Sequence, residues 1–257
     1  MRHRKHKKLR RRIELLLKTG LVFCIMTFIL SNLVSPSGHV LSENIASESS
    51  DTNANEKLIS MEGLSQDGIP TGCEAVSTVA LLQHLGIDIS IEEFINTFLP
   101  CQSFYRQDGL LYGPDPNEYF AGNPYESSSL GCYPDVILKA LRAMKYTGYP
   151  GMENLNFKNV SGTDLDTLVE LYIDQDLPVL LWVSIDMKEP YEGMKYYLAD
   201  GSLYTWTAQE HCTVLCGYDN TNYYLMDPLK GGEIVGYSRK LVETRYDQMQ
   251  RNAVVVF

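Results

Sequence analysis

Histidine is scarce in this chain: there are five in 257 residues, and only His84 and His211 lie beyond residue 40. Proton transfer through an imidazole in that part of the chain therefore rests on one of two side chains. No Walker motif is present, so there is no glycine-rich cradle for nucleotide phosphates, and no internal repeat points to a solenoid. Basic residues also thin out past residue 20. The first 20 residues carry nine Lys/Arg against the single acid Glu14, a net of +8; the whole chain carries −10, so residues 21–257 hold −18. So negative a balance repels phosphate backbones and argues against nucleic acid as a partner.

Charge is absent altogether from Thr19 to His39, where Leu21-Val22-Phe23-Cys24-Ile25-Met26 begins an apolar run that ends at Val34. A basic head before an apolar run keeps the N-terminus in the cytoplasm. The run is near the lower limit of about 17 residues for a bilayer span and at the upper end of the ~7–15 residues of a signal-peptide core. Residues 1–20 are thus expected to be a basic cytoplasmic head. Residues 19–36 are expected to be an uncleaved transmembrane signal anchor with Lys18 snorkelling. A cleaved signal, cut near Ser35–Gly38, is the alternative. Residues 37–57, rich in Ser, Asn and Glu, form a flexible tether. Residues 58–257 make one extracytoplasmic domain, held at the cell membrane or secreted if the signal is cleaved. Five cysteines fall in that domain (Cys73, Cys101, Cys132, Cys212 and Cys216), so at least one stays unpaired in an oxidising compartment.

Periodicity and punctuation give the order of elements. A helix should run from Gly72 to Leu85 and stop at Gly86, with Ser90 and Glu93 capping a shorter one that Pro100 ends. Residues 100–134 are rich in Gly, Pro and Tyr and form an ordered excursion. Further helices are expected over 134–145 and 164–174. The apolar run 178–185 is a central strand buried on both faces. Strands 211–218 and 223–227 flank a turn, and strand 233–237, helix 239–249 and strand 252–257 complete the chain. Helices first and antiparallel strands later indicate α+β.

The chemistry centres on Cys73. Thr71 and Glu74 have capping-box spacing, which puts Cys73 at the second helical position, where the helix dipole favours a thiolate. His84 returns to nearly the same face of that helix but about 16 Å along its axis. His211 is therefore the one candidate base. On a strand, His211, Thr213 and Leu215 share one face and Cys212, Val214 and Cys216 the other. Pairing across the turn brings Asp227 level with His211, as a carboxylate that orients the imidazole. The Cys73 N–H and the Gln66 amide are candidate donors to an oxyanion. Each of these also has a structural reading: a small buried cysteine, a turn aspartate before proline, a solvated glutamine. Cys212 and Cys216 stand about 13 Å apart on a strand, too far to share a metal or a disulfide. Cys101 and Cys132, bordering the excursion, are the better disulfide pair. No metal or other cofactor is required.

The series Pro70-Thr71-Gly72-Cys73-Glu74, Tyr112-Gly113-Pro114-Asp115-Pro116, Leu177-Pro178-Val179, Glu210-His211-Cys212 and Gly217-Tyr218-Asp219 through Met226-Asp227-Pro228 resembles the C39-like peptidases. These are a papain-like cysteine peptidase group found mostly in bacteria, and the resemblance spans about 58–257. It implies a papain-like α+β fold with helices packed on an antiparallel sheet. By position, Cys73 is then the nucleophile, His211 the general base, Asp227 its orienting acid and Gln66 the oxyanion donor. The expected activity is hydrolysis of a peptide bond through a thioacyl intermediate, with the aromatic stretch Phe104–Tyr125 as part of the substrate wall. Peptidyl or acyl transfer by the same thiol, and a non-catalytic peptide-binding domain on the same scaffold, are the alternatives. Without a Walker motif and with a single apolar span, leader processing coupled to ATP-driven export is not expected.

Overall fold

The apolar run after Leu177 lies in the middle of the main sheet, and the rest of the fold is arranged about it. The computed structural model describes residues 56–257; the expected head, membrane segment and nearly all of the tether lie outside them. In chain order the elements are β1 (Lys57–Leu58), α1 (Cys73–His84), α2 (Ile91–Glu93), β2 (Cys101–Gln102), β3 (Tyr105–Gln107), β4 (Leu110–Tyr112), β5 (Phe120–Ala121) and α3 (Pro134–Tyr146). Then follow β6 (Phe157–Asn159), α4 (Leu165–Leu171), β7 (Val179–Ser184), β8 (Tyr191–Tyr197), β9 (Leu203–Ala208), β10 (Glu210–Tyr218), β11 (Asn222–Asp227), β12 (Glu233–Ser238), α5 (Arg239–Gln248) and β13 (Ala253–Val256). No helix among the described residues is long and apolar enough to cross a membrane.

The main sheet is antiparallel throughout, in the order β12-β11-β10-β7-β13-β6, with β1 added along the end of β10. All six residues of β7 are buried. Alternate residues serve two cores, as a strand covered on both faces requires. Leu180 and Trp182 pack with Val79, Ile137 and Leu141 of α1 and α3, whereas Val179, Leu181 and Val183 pack with Leu168, Val242 and Tyr246 of α4 and α5. The Trp182 Nε1–H donates to the Cys132 carbonyl (2.9 Å), tying the sheet to the chain two residues before α3. The α+β arrangement of helices on an antiparallel sheet therefore stands.

Local signals explain most boundaries. Ser90 accepts from Glu93 N–H (3.0 Å), Asp164 accepts from Thr167 N–H (2.9 Å), and Gly86, at φ +84°, takes the left-handed conformation that ends α1. Three features differ from expectation. The hairpin β8–β9 was not anticipated, because Gly193 and a register shift between Glu192 and Lys195 break the two-residue period of Tyr191–Tyr197. It joins β3 and β4 in a second, four-stranded sheet. Second, Cys216 does not share a face with Cys212: a bulge between Leu215 and Gly217 turns it into the other core, beside Leu215. Third, the bridge expected between Cys101 and Cys132 is absent and both are free thiols. Cys101 lies on an exposed strand, while Cys132 is buried with its backbone held at both N–H and C=O.

Replacing Trp182 by Ala removes a fully buried indole and the bond to Cys132. It is expected to lower unfolding stability by about 3–5 kcal/mol in urea titrations; a loss under 1 kcal/mol would show that the strand is not the mechanical centre described.

Candidate active site

The lead-in to α1 is a tight series of turns, with Ile69 N–H donating to Gln66 O (2.8 Å) and Gly72 N–H to Ile69 O (3.1 Å). Thr71 does not cap the helix. Its hydroxyl donates to the carbonyls of Pro124 (3.3 Å) and Glu126 (3.2 Å), fastening the lead-in to the 100–134 segment. Gly72 is the N-cap without a side-chain bond, so Cys73 is the first helical residue and not the second. The capping box fails because Glu74 is buried and faces inward. Its Oε1 accepts the Cys132 N–H (2.5 Å) and its Oε2 accepts the Cys73 thiol (3.3 Å).

Cys73 is 6% exposed, and its sulfur also accepts the Cys212 N–H at 3.5 Å. Burial, and then the carboxyls of Glu74 and Glu210, push the thiol well above its ordinary value, against the smaller pull of that N–H. The thiolate expected at a helix start is therefore not the resting form. A helix dipole contributes about 0.3–1 kcal/mol, whereas burying an ion costs several kcal/mol.

His211 and Asp227 pair as expected: Nε2 stands 2.7 Å from Asp227 Oδ1. Asp227 follows Met226, which is opposite Val214, so the carboxylate reaches the imidazole diagonally across β10 and β11. Leu229 N–H donates to the same oxygen at 2.9 Å. Burial raises the Asp227 pKa, but the hydrogen bond and charge of His211 and the Leu229 N–H outweigh it, leaving the carboxyl below its ordinary value and ionised. An ionised Asp227 takes the Nε2–H, which in a neutral imidazole puts the lone pair on Nδ1. Nδ1 is buried and has no hydrogen-bond partner.

Cys73, His211 and Gln66 line one cleft of about 340 Å³, and Asp227 stands behind His211. The sulfur is hydrogen-bonded to Glu74 and not to the imidazole. Gln66 Nε2 donates to Ile69 O at 3.4 Å, and its buried Oε1 has no partner. The cleft walls are Leu130, Tyr191, Met194 and Trp206. No aromatic residue of Phe104–Tyr125 lines it. Phe104 instead packs edge-on to Tyr196 (5.0 Å) and Tyr112 of β4 against Tyr197 (5.7 Å) in the second sheet, while Phe120 is buried in the main core. Two residues of the site were missed. Glu74 had been read as a cap, and Glu210 only as part of a motif. Their signal was an acid inside a mostly buried helix and another at the entry of a buried strand, each with no Lys or Arg within ten residues in sequence.

Residues 58–254 match the Peptidase_C39 like family. Among solved structures, the chain is similar to the crystal structure of a candidate C39-like peptidase from Bacillus anthracis. That pair is 25% identical, with a TM-score of 0.65 over 79% of this chain and 97% of the other. No curated protein matches the chain.

Burial lifts the Glu74 pKa from 4.5 to about 7 despite its hydrogen bonds. The folded form then binds this proton more tightly than the unfolded form does, so stability falls as pH rises from about 4.5 to about 7. Urea midpoints at pH 5 and pH 8 are expected to drop more in the parent protein than in Glu74→Gln. Equal drops would remove Glu74 as a source of the slope.

Proposed function

The chain belongs to the Peptidase_C39 like family, and on that footing we propose that it is an extracytoplasmic cysteine peptidase using Cys73, His211 and Asp227. The observation that carries this reading is the buried His211–Asp227 pair, which leaves Nδ1 without a hydrogen-bond partner on a histidine that lines the same cleft as Cys73.

The reaction begins when the Cys73 side chain turns from Glu74 to His211, which takes the thiol proton at Nδ1. The thiolate attacks the substrate carbonyl carbon. Negative charge on the carbonyl oxygen is met by the Cys73 N–H at the start of α1 and by the Gln66 amide, once the latter leaves Ile69 O. The C–N bond breaks as His211 returns its proton to the leaving amine. A water, deprotonated by His211, then releases the acyl group and restores the thiol. Throughout, Asp227 holds the ring and balances the charge on the imidazolium.

The same reading takes the +8 head and the uncharged stretch from Thr19 to His39 as a single-pass membrane anchor that places residues 58–257 outside the cytoplasm. It takes a peptide or protein as substrate, held between Leu130 on one side and Tyr191, Met194 and Trp206 on the other.

Cys73→Ser, with its fold verified by circular dichroism, is expected to lower cleavage of a fluorogenic peptide mixture by at least about 10³-fold. Asp227→Asn should cost about 10²–10⁴-fold, because the ring can then present the wrong tautomer. Undiminished cleavage by the Cys73 variant would refute the proposal.

A further inference from the structure

Three donor groups meet beside the nucleophile, and the Cys-His-Asp scheme uses only one of them. The sulfur of Cys73, a carboxyl oxygen of Glu74 and a carboxyl oxygen of Glu210 all lie within 4.8 Å of one another, and all three residues are buried. Glu74 has a partner on each oxygen. Glu210 does not: it is 7% exposed, and its Oε1 is sealed from solvent without any hydrogen bond. Among the described residues no Lys or Arg pairs with either carboxyl. A buried carboxyl oxygen with no partner is rare in folded proteins and calls for a specific explanation, an ion being one. The backbone keeps the two acids convergent. Gly131 lies against both; a Cβ there would run into Glu74 Oε1 and come within 3.0 Å of Glu210 Oε2.

We propose that Cys73, Glu74 and Glu210 form a site for a borderline-soft divalent cation, Zn²⁺ foremost, that holds the nucleophile as a metal thiolate. The donor set decides the class of ion. Mg²⁺ and Ca²⁺ take six or more oxygens, whereas one thiolate with two carboxylates suits the four-coordinate Zn²⁺. Zn–S of about 2.3 Å and Zn–O of about 2.0–2.2 Å place tetrahedral donors roughly 3.3–3.7 Å apart, so donors already within 4.8 Å need only small side-chain movements. The fourth position is filled by water from the cleft, which Cys73 and Glu210 both line and which is the ion's route of entry. On binding, the thiol proton and any proton on the two carboxyls go to solvent, and no group changes oxidation state. A sulfur so held cannot attack a carbonyl. That inhibitory consequence rests on the peptidase reading; the binding itself does not.

The test uses the full chain in detergent, stripped of metal with a chelator and titrated with Co²⁺. One equivalent should give the intense visible bands of a tetrahedral site together with a near-ultraviolet sulfur-to-cobalt charge-transfer band, and Zn²⁺ should abolish both. Cys73→Ser should lose the charge-transfer band. Glu210→Gln should weaken Zn²⁺ binding at least about 10-fold in competition with a chromophoric chelator. Absence of the bands in the parent protein, or bands and affinity unchanged in both variants, would overturn the proposal. Peptide cleavage measured in parallel separates the two readings. Binding as expected, with no cleavage by the metal-free protein, would leave the site standing and remove the peptidase.

Discussion

Helix α1 is fastened to strand β10 at the level of Cys73, and most of the candidate chemistry depends on that one attachment. The Ser77 hydroxyl donates to the Cys212 carbonyl at 3.0 Å, and the Cys212 N–H points at the Cys73 sulfur at 3.5 Å. The helix thus contacts both backbone polar groups of one strand residue, Cys212. Because His211 precedes Cys212, setting the helix against the strand also sets the thiol relative to the imidazole. Trp182 backs this arrangement from the neighbouring strand, opposite Cys212 in register. The proposed nucleophile and base stand 138 residues apart in sequence, yet share one joint.

What joins them is unusually rich in acid for a place so dry. Two buried carboxyls and three thiols, Cys73, Cys132 and Cys212, crowd the start of α1, and burial moves every one of these groups toward its protonated form. Proton affinity is therefore a shared property of the cluster, since charging any member raises the cost of charging the next. Asp227 ends on the other side: His211 Nε2–H and Leu229 N–H donate to its carboxylate and outweigh the cost of its burial. The cleft thus joins a region that resists negative charge to one that sustains it, with the Cys73 sulfur at the boundary.

The sequence made the scaffold readable wherever local chemistry alone decides. Ser90, Asp164 and Gly86 mark helix ends through bonds or dihedrals that involve only near neighbours, and the run after Leu177 could only be a strand buried on both faces. His211 and Asp227 were also legible, because a single hairpin fixes their spacing. Legibility failed where a remote group competes for a local one. Thr71 was drawn away by the carbonyls of Pro124 and Glu126, more than 50 residues along the chain, and Glu74 by the N–H of Cys132. Cys216 changed face through one extra residue in β10, which no count of alternation anticipates. The hairpin β8–β9 was hidden by its own irregular register.

The separation of the two sheets has a consequence for how such a cleft diversifies. Cys73, His211 and Asp227 come from α1 and the main sheet, while Tyr191, Met194 and Trp206 come from a hairpin paired with β4. On the proposed peptidase reading, selectivity and reactivity thus rest on different sheets. Substitutions, insertions or exchanges within the hairpin can retune which side chains the cleft accepts without touching the joint between α1 and β10.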